Sequence, residues 1–108
     1  MNNQSLEIIC HDNFDVLCKV NAIMQDIIHL KSENRSIGQR IKHLHKKRSE
    51  YIKVIKSNKG NKNILREYNK KADSNINLEI LLTKLQKSNS KLIRRHRSKI
   101  QQLRKGLM

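Results

Sequence analysis

The sequence predicts an all-α chain folded as a long antiparallel two-helix coiled-coil hairpin with its turn near residues 57–63, and three observations lead there. The chain has no proline and only Gly38, Gly60 and Gly106 as glycines, so little in it forbids long helices. Apolar residues recur at alternating steps of three and four on both sides of a single Asn- and Gly-rich break, SNKGNKN. One Phe, two Tyr and no Trp leave poor material for a globular core, in which large aromatics usually dominate burial. At 108 residues this is one elongated domain.

Taken in order, residues 1–11 read as a short N-terminal segment, because Asp12 followed three residues later by Asp15 resembles a capping box that starts a helix. Arm one follows, about residues 12–57. Its seam is the series Leu6, Ile9, Asn13, Val16, Val20, Ile23, Ile27, Leu30, Asn34, Ile37, Ile41, Leu44, Arg48, Tyr51, Ile55 and Asn58, and twelve of these sixteen positions are apolar or Tyr. A seven-residue repeat sustained this long stays on one face only if the helix supercoils around a neighbour. Between Ile55 and Ile64 no apolar residue occurs, and Asn and Gly there tolerate the left-handed backbone angles that end helices.

Arm two covers about residues 62–107. Its series runs Ile64, Tyr68, Lys71, Asn75, Leu78, Leu82, Leu85, Asn89, Leu92, His96, Lys99 and Leu103, with Ile93, Ile100 and Leu107 one position off, as a drifting stripe would place them. The stretch ADSN, residues 72–75, marks a possible kink, with Asp73 or Ser74 as the cap of a new helix. If the chain reverses near Gly60, residues whose numbers sum to about 120 face each other: Ile41 with Leu78, Ile37 with Leu82, Ile27 with Leu92, Val20 with Ile100. That apposition of two heptad series across one turn favours a monomeric hairpin. Asn34, Asn75 and Asn89 fall on the seam as register-setting residues, since a buried Asn gives up stability to disfavour wrong pairings. Arg48 and Tyr51, close to the turn, mark an end of the seam open enough for a guanidinium to reach water.

Charge is unevenly spread. Residues 1–30 carry a net −3, while residues 31–108 carry +18. Such asymmetry points to an anionic partner. Cys10 and Cys18 have no second pair, which fits neither a zinc knuckle nor a disulfide framework and suits free thiols in a reducing compartment. No apolar run reaches membrane-spanning length, and the first residues lack the basic start and apolar centre of a secretory signal, so a soluble cytoplasmic protein is expected. His43 and His45, two apart, diverge on a helix, and His11, His29 and His96 have no metal-ligand spacing, so neither a metal nor a cofactor is expected. No nucleophile–base order, glycine-rich phosphate loop or paired carboxylates point to an enzyme.

What remains is the basic surface. Lys42, Lys46, Lys47, Arg48, Lys53 and Lys56 on arm one, and Arg94, Arg95, Arg97 and Arg104 within KLIRRHRSKIQQLRK on arm two, are the candidate partner-binding residues. An ordinary solvated face carries Glu in similar number, and here Glu is scarce. Nucleic acid is one possible partner, bound through phosphates. The basic run, however, follows the leucines instead of preceding a zipper, and stacking aromatics are nearly missing. Nonspecific electrostatic binding stays open, and an arginine-rich helix such as residues 91–105 suits RNA.

A larger protein assembly is the other. In length, lack of proline, basic character and stretches such as LKSENRSIGQRIKHLHKKRSEY, about residues 13–107 resemble the small stalk proteins of bacterial flagellar and type III secretion ATPases, the FliJ/SctO-like family. The very short, Asn-rich turn departs from many of its members. The resemblance implies a non-enzymatic rod in the channel of an acidic ring-shaped hexameric ATPase, coupling it to an export-gate component.

Overall fold

The computed structural model describes the backbone of residues 3–106 and the side chains of residues 13–106. It contains two helices, α1 (Asn3–Ser57) and α2 (Lys62–Lys105), and no strand among the described residues. The all-α hairpin class is the one expected from the heptads, and the turn falls between Ser57 and Lys62. Two boundaries differ. Helix α1 begins at Asn3 instead of near Asp12, so residues 3–11 belong to it and no helix starts at Asp12. Helix α2 runs without interruption through residues 72–75, where a kink was possible. The side chains of Cys10 and His11 lie outside the described residues.

Asparagine side chains build the turn. Asn58 Nδ2 donates to Val54 O at 2.8 Å, and Asn58 N to Ile55 O at 3.3 Å, which satisfies two carbonyls at the end of α1. Asn61 N donates to Asn58 O at 3.0 Å and closes the reversal around Lys59 and Gly60. Asn61 then caps α2: its Oδ1 accepts from Ile64 N at 3.2 Å, and its carbonyl accepts the first helical bond, from Leu65 N at 3.0 Å. No described residue has a positive φ, so the left-handed turn expected from the Asn and Gly content is not formed. The amides do the terminating.

The chain divides into two compact units, one made of Met1–Ser32 and Asn89–Met108, the other of Glu33–Ser88. In the first, Val20, Ile27, Ile93 and Ile100 form a buried cluster with Val16, Ile23, Leu30 and Leu103 packed against it. Val20 with Ile100 and Ile27 with Ile93 each sum to 120, so the chain reverses with the register predicted from the turn. In the second unit Ile37 and Leu82 are the buried aliphatics, and Asn75 is a buried polar residue one heptad before Leu82. The Tyr51 and Tyr68 rings meet edge to face with centroids 5.8 Å apart.

On α1, every member of the heptad series from Asn13 to Asn58 is buried or half-buried. On α2, five of the twelve positions do not hold. Lys71, Leu78, Leu85, Leu92 and Lys99 are exposed, and the residues one later, Ala72, Glu79, Gln86, Ile93 and Ile100, turn inward. The alternation is therefore Leu65, Tyr68, Ala72, Asn75, Glu79, Leu82, Gln86, Asn89, Ile93, His96, Ile100 and Leu103. The expected pairing of Ile27 with Leu92 is replaced by Ile27 with Ile93 in one cluster, and Ile93 and Ile100, taken as drift, are core. A seam position is chosen by what the opposite helix offers, and in the Glu33–Ser88 unit α1 offers polar partners that Leu78 and Leu85 lack.

Candidate protein-binding surface

Glu79 shows why the phase shifts. Its carboxylate accepts from His45 Nε2 and from Arg48 Nη2, and Arg48 Nε donates to Asn75 Oδ1 at 3.0 Å. Asn75 Nδ2 completes the chain by donating to the Leu44 carbonyl at 2.9 Å. These bonds need a carboxylate, not a leucine, facing α1. The hydrogen bond from His45, then that from Arg48, holds the Glu79 carboxyl below the usual glutamate range. Arg48, expected at a water-accessible end of the seam as a partner contact, is committed within the hairpin to Glu79 and Asn75.

The asparagines expected to set register lie on the seam. Asn75 and Asn89 are buried and Asn34 is half-buried. Asn34 Nδ2 donates to Gln86 O at 3.3 Å while Gln86 Nε2 donates to Asn34 O at 3.2 Å, a reciprocal pair that joins the helices at one axial position. Gln86 and Glu79 were missed in the sequence because both lie beside a leucine that fits the apolar template.

The remaining candidate cations are exposed, in two groups. Lys42, Lys46, Lys47, Lys53 and Lys56 lie on α1 in the Glu33–Ser88 unit, and Arg94, Arg95, Arg97 and Arg104 lie on α2 in the other. Lys46 and Lys53 share an outward face by their seven-residue spacing, whereas Lys47 borders a shallow concavity with His43, Tyr51, Lys70, Lys71 and Leu78. Arg97 and Arg104 share a face for the same reason, while Arg94 and Arg95 diverge by roughly 100° around the helix. Lys71 stacks its ammonium 4.5 Å from the Tyr68 ring centre and pairs with Glu67 at 3.3 Å.

On the same two helices stand large apolar side chains that neither helix covers. On α1 they are Phe14, Leu17, Met24, Ile28 and Ile52, and on α2 Ile76, Leu78, Ile80, Leu81, Leu85 and Leu92. Isolated exposed leucines are ordinary on a protein surface, but spacings of three and four within Phe14–Leu17 and Leu78–Leu81–Leu85 repeat the geometry of a coiled-coil contact. Among the described residues no cluster of His, Cys, Asp and Glu suits a metal ion, and no helix is long and apolar enough to cross a membrane. Comparison of the chain with protein-family models, with curated proteins and with solved structures finds no match.

Proposed function

We propose that the chain is a non-enzymatic coiled-coil stalk or adaptor that engages a larger protein assembly through its outer faces. One observation carries this reading: exposed isoleucines, leucines and a phenylalanine stand beside exposed lysines and arginines on the same helices. A surface made only for phosphates needs cations and gains nothing from exposed leucines, whereas a protein partner buries both. In its finer form, which rests on the family resemblance, the assembly is an acidic ring-shaped export ATPase with an export-gate component. Basic helices suit an acidic channel. The net charge of +15 favours a second reading, a helical protein that binds nucleic acid through phosphate contacts.

Affinity capture from lysate with and without nuclease, followed by salt titration, separates the two. A protein assembly remains after nuclease and keeps part of its affinity at high salt, because apolar burial is not screened. Reversing Arg94, Arg95, Arg97 and Arg104 with Lys42, Lys46 and Lys47 to Glu abolishes capture while the free chain stays helical. If everything retained disappears with nuclease, the chain is a nucleic-acid binder.

A further inference from the structure

The unit made of Met1–Ser32 and Asn89–Met108 carries a groove of about 380 Å³ between its two helices. Ile27 and Ile100, both core residues, form its floor. Met24 and Ile28 of α1 form one wall, 42% and 55% exposed, and Phe14 and Leu17 extend the same stripe along α1 at spacings of three and four through Asn21. This is a second seam beside the first, the pattern of a helix packed against two neighbours.

Every charged residue lining the groove is basic: Lys31 on α1, Arg97 and Arg104 on α2. None of the three belongs to an ion pair among the described residues. Uncompensated cations rimming an apolar trough call for an occupant that is apolar in the middle and anionic at its edges. A second copy of this chain laid into the groove by the same face would set its own Lys31, Arg97 and Arg104 against like charges. A bilayer is a poorer fit, because a flat surface meets the rims and not the concave floor. We propose that the groove binds an amphipathic α-helix of a protein partner, with its apolar stripe on Met24, Ile28 and Ile100 and its flanking carboxylates on Lys31, Arg97 and Arg104. The inference rests on the reading of the chain as a protein-binding hairpin and adds the surface and the chemistry of the partner.

The test uses the full chain and a labelled three-heptad helical peptide with Leu at the core positions and Glu beside them, followed by fluorescence anisotropy. A second peptide has Lys in place of each Glu. The glutamate peptide is expected to bind and to shift the Met24 and Ile28 methyl resonances. Affinity should fall about tenfold or more in Ile28→Ser and in the Arg97→Glu/Arg104→Glu double variant, a factor equal to about 1.4 kcal/mol or more. Lys62→Glu/Arg66→Glu, exposed in the other unit and outside the candidate partner-binding set, should leave it nearly unchanged. All three variants alter exposed side chains, and circular dichroism checks their helicity.

The proposal is overturned if the glutamate peptide does not bind, if the two peptides bind alike, or if the groove variants bind as well as the unaltered chain. Sedimentation that shows a dimer broken by Ile28→Ser would make the occupant a second copy. Binding to phosphatidylglycerol vesicles lost in Ile28→Ser, without binding of the peptide, would make it a membrane. Either result overturns the proposal. Peptide failure alongside nuclease-resistant capture would remove this groove and leave the protein-binding reading standing.

Discussion

The two units share one seam geometry and fill it with opposite chemistry. In Met1–Ser32 with Asn89–Met108, the contact is mostly aliphatic: Val20, Ile27, Ile93 and Ile100, backed by Val16, Ile23, Leu30 and Leu103, with Asn89 a buried polar member. In Glu33–Ser88 it is largely a set of hydrogen bonds: Asn34 with Gln86, Asn75 with Leu44 and Arg48, Glu79 with His45 and Arg48. Aliphatic heptads give stability but tolerate a slip of register, since one isoleucine resembles the next. Hydrogen-bonded pairs contribute less net free energy and lose their partners when the helices slide. The comparison assigns stability mainly to one unit and register mainly to the other.

The largest effect expected is therefore in the aliphatic cluster. Ile93→Ala removes a buried side chain from the cluster and should cost about 2–4 kcal/mol, read as a lowered midpoint in thermal or urea unfolding. By contrast Leu92→Ala, at an exposed neighbour, should change the midpoint little. A reversal of that order would mean that the sequence-derived phase of α2 is the real one.

In the polar unit, Asn75→Ala deletes the donor to Leu44 O and the acceptor for Arg48 Nε, and should cost about 1–3 kcal/mol. Its signature is a change in pairing as well as in stability. Crosslinking of the variant should reveal shifted registers or extra oligomers, and a variant that melts lower yet keeps one register would show that Asn75 stabilises without specifying.

A smaller effect should appear with pH. The hydrogen bonds from His45 and Arg48 depress the Glu79 pKa in the folded chain, so their contribution is fully present above the ordinary glutamate range. It is lost as pH falls through the lower folded value. Glu79→Gln removes this dependence, so the gap in melting temperature between the two chains should narrow as the solution is acidified below the glutamate range. A gap that stays constant there would mean the pair does not form in solution.

Much of this was legible from residue order. The α1 seam is readable because its inward positions are mostly aliphatic and its flanks mostly polar or charged, so template and burial coincide from Asn13 to Asn58. The turn was placed by its Asn and Gly, although its mechanism was not: Asn58 and Asn61 end and start the helices by side-chain capping, and Gly60 supplies no left-handed backbone. The phase of α2 was misread because Leu78, Leu85 and Leu92 compete with Glu79, Gln86 and Ile93 one residue away. At Glu79 and Gln86 the outcome depends on Asn34, His45 and Arg48 across the seam. Only apposition reveals that choice.

The surface was legible in part. Nine of the ten candidate cations are exposed, as their positions off the seam imply, and Arg48 is drawn into the hairpin by Glu79. The apolar walls beside Arg97 and Arg104 escaped notice because the first heptad series already accounted for α1. A second series, Phe14, Leu17, Met24 and Ile28, was present in the same residues.

The central structural claim, that α2 turns Ile93 and not Leu92 toward α1 within one chain, is tested most directly by disulfide crosslinking. With Cys10 and Cys18 replaced by Ser, one variant carries cysteines at Ile27 and Ile93, another at Ile27 and Leu92. The account predicts rapid intrachain oxidation of the first pair and little of the second, at concentrations dilute enough to suppress contacts between chains. Preferential oxidation of the 27/92 pair, or crosslinks found only between chains, would contradict it.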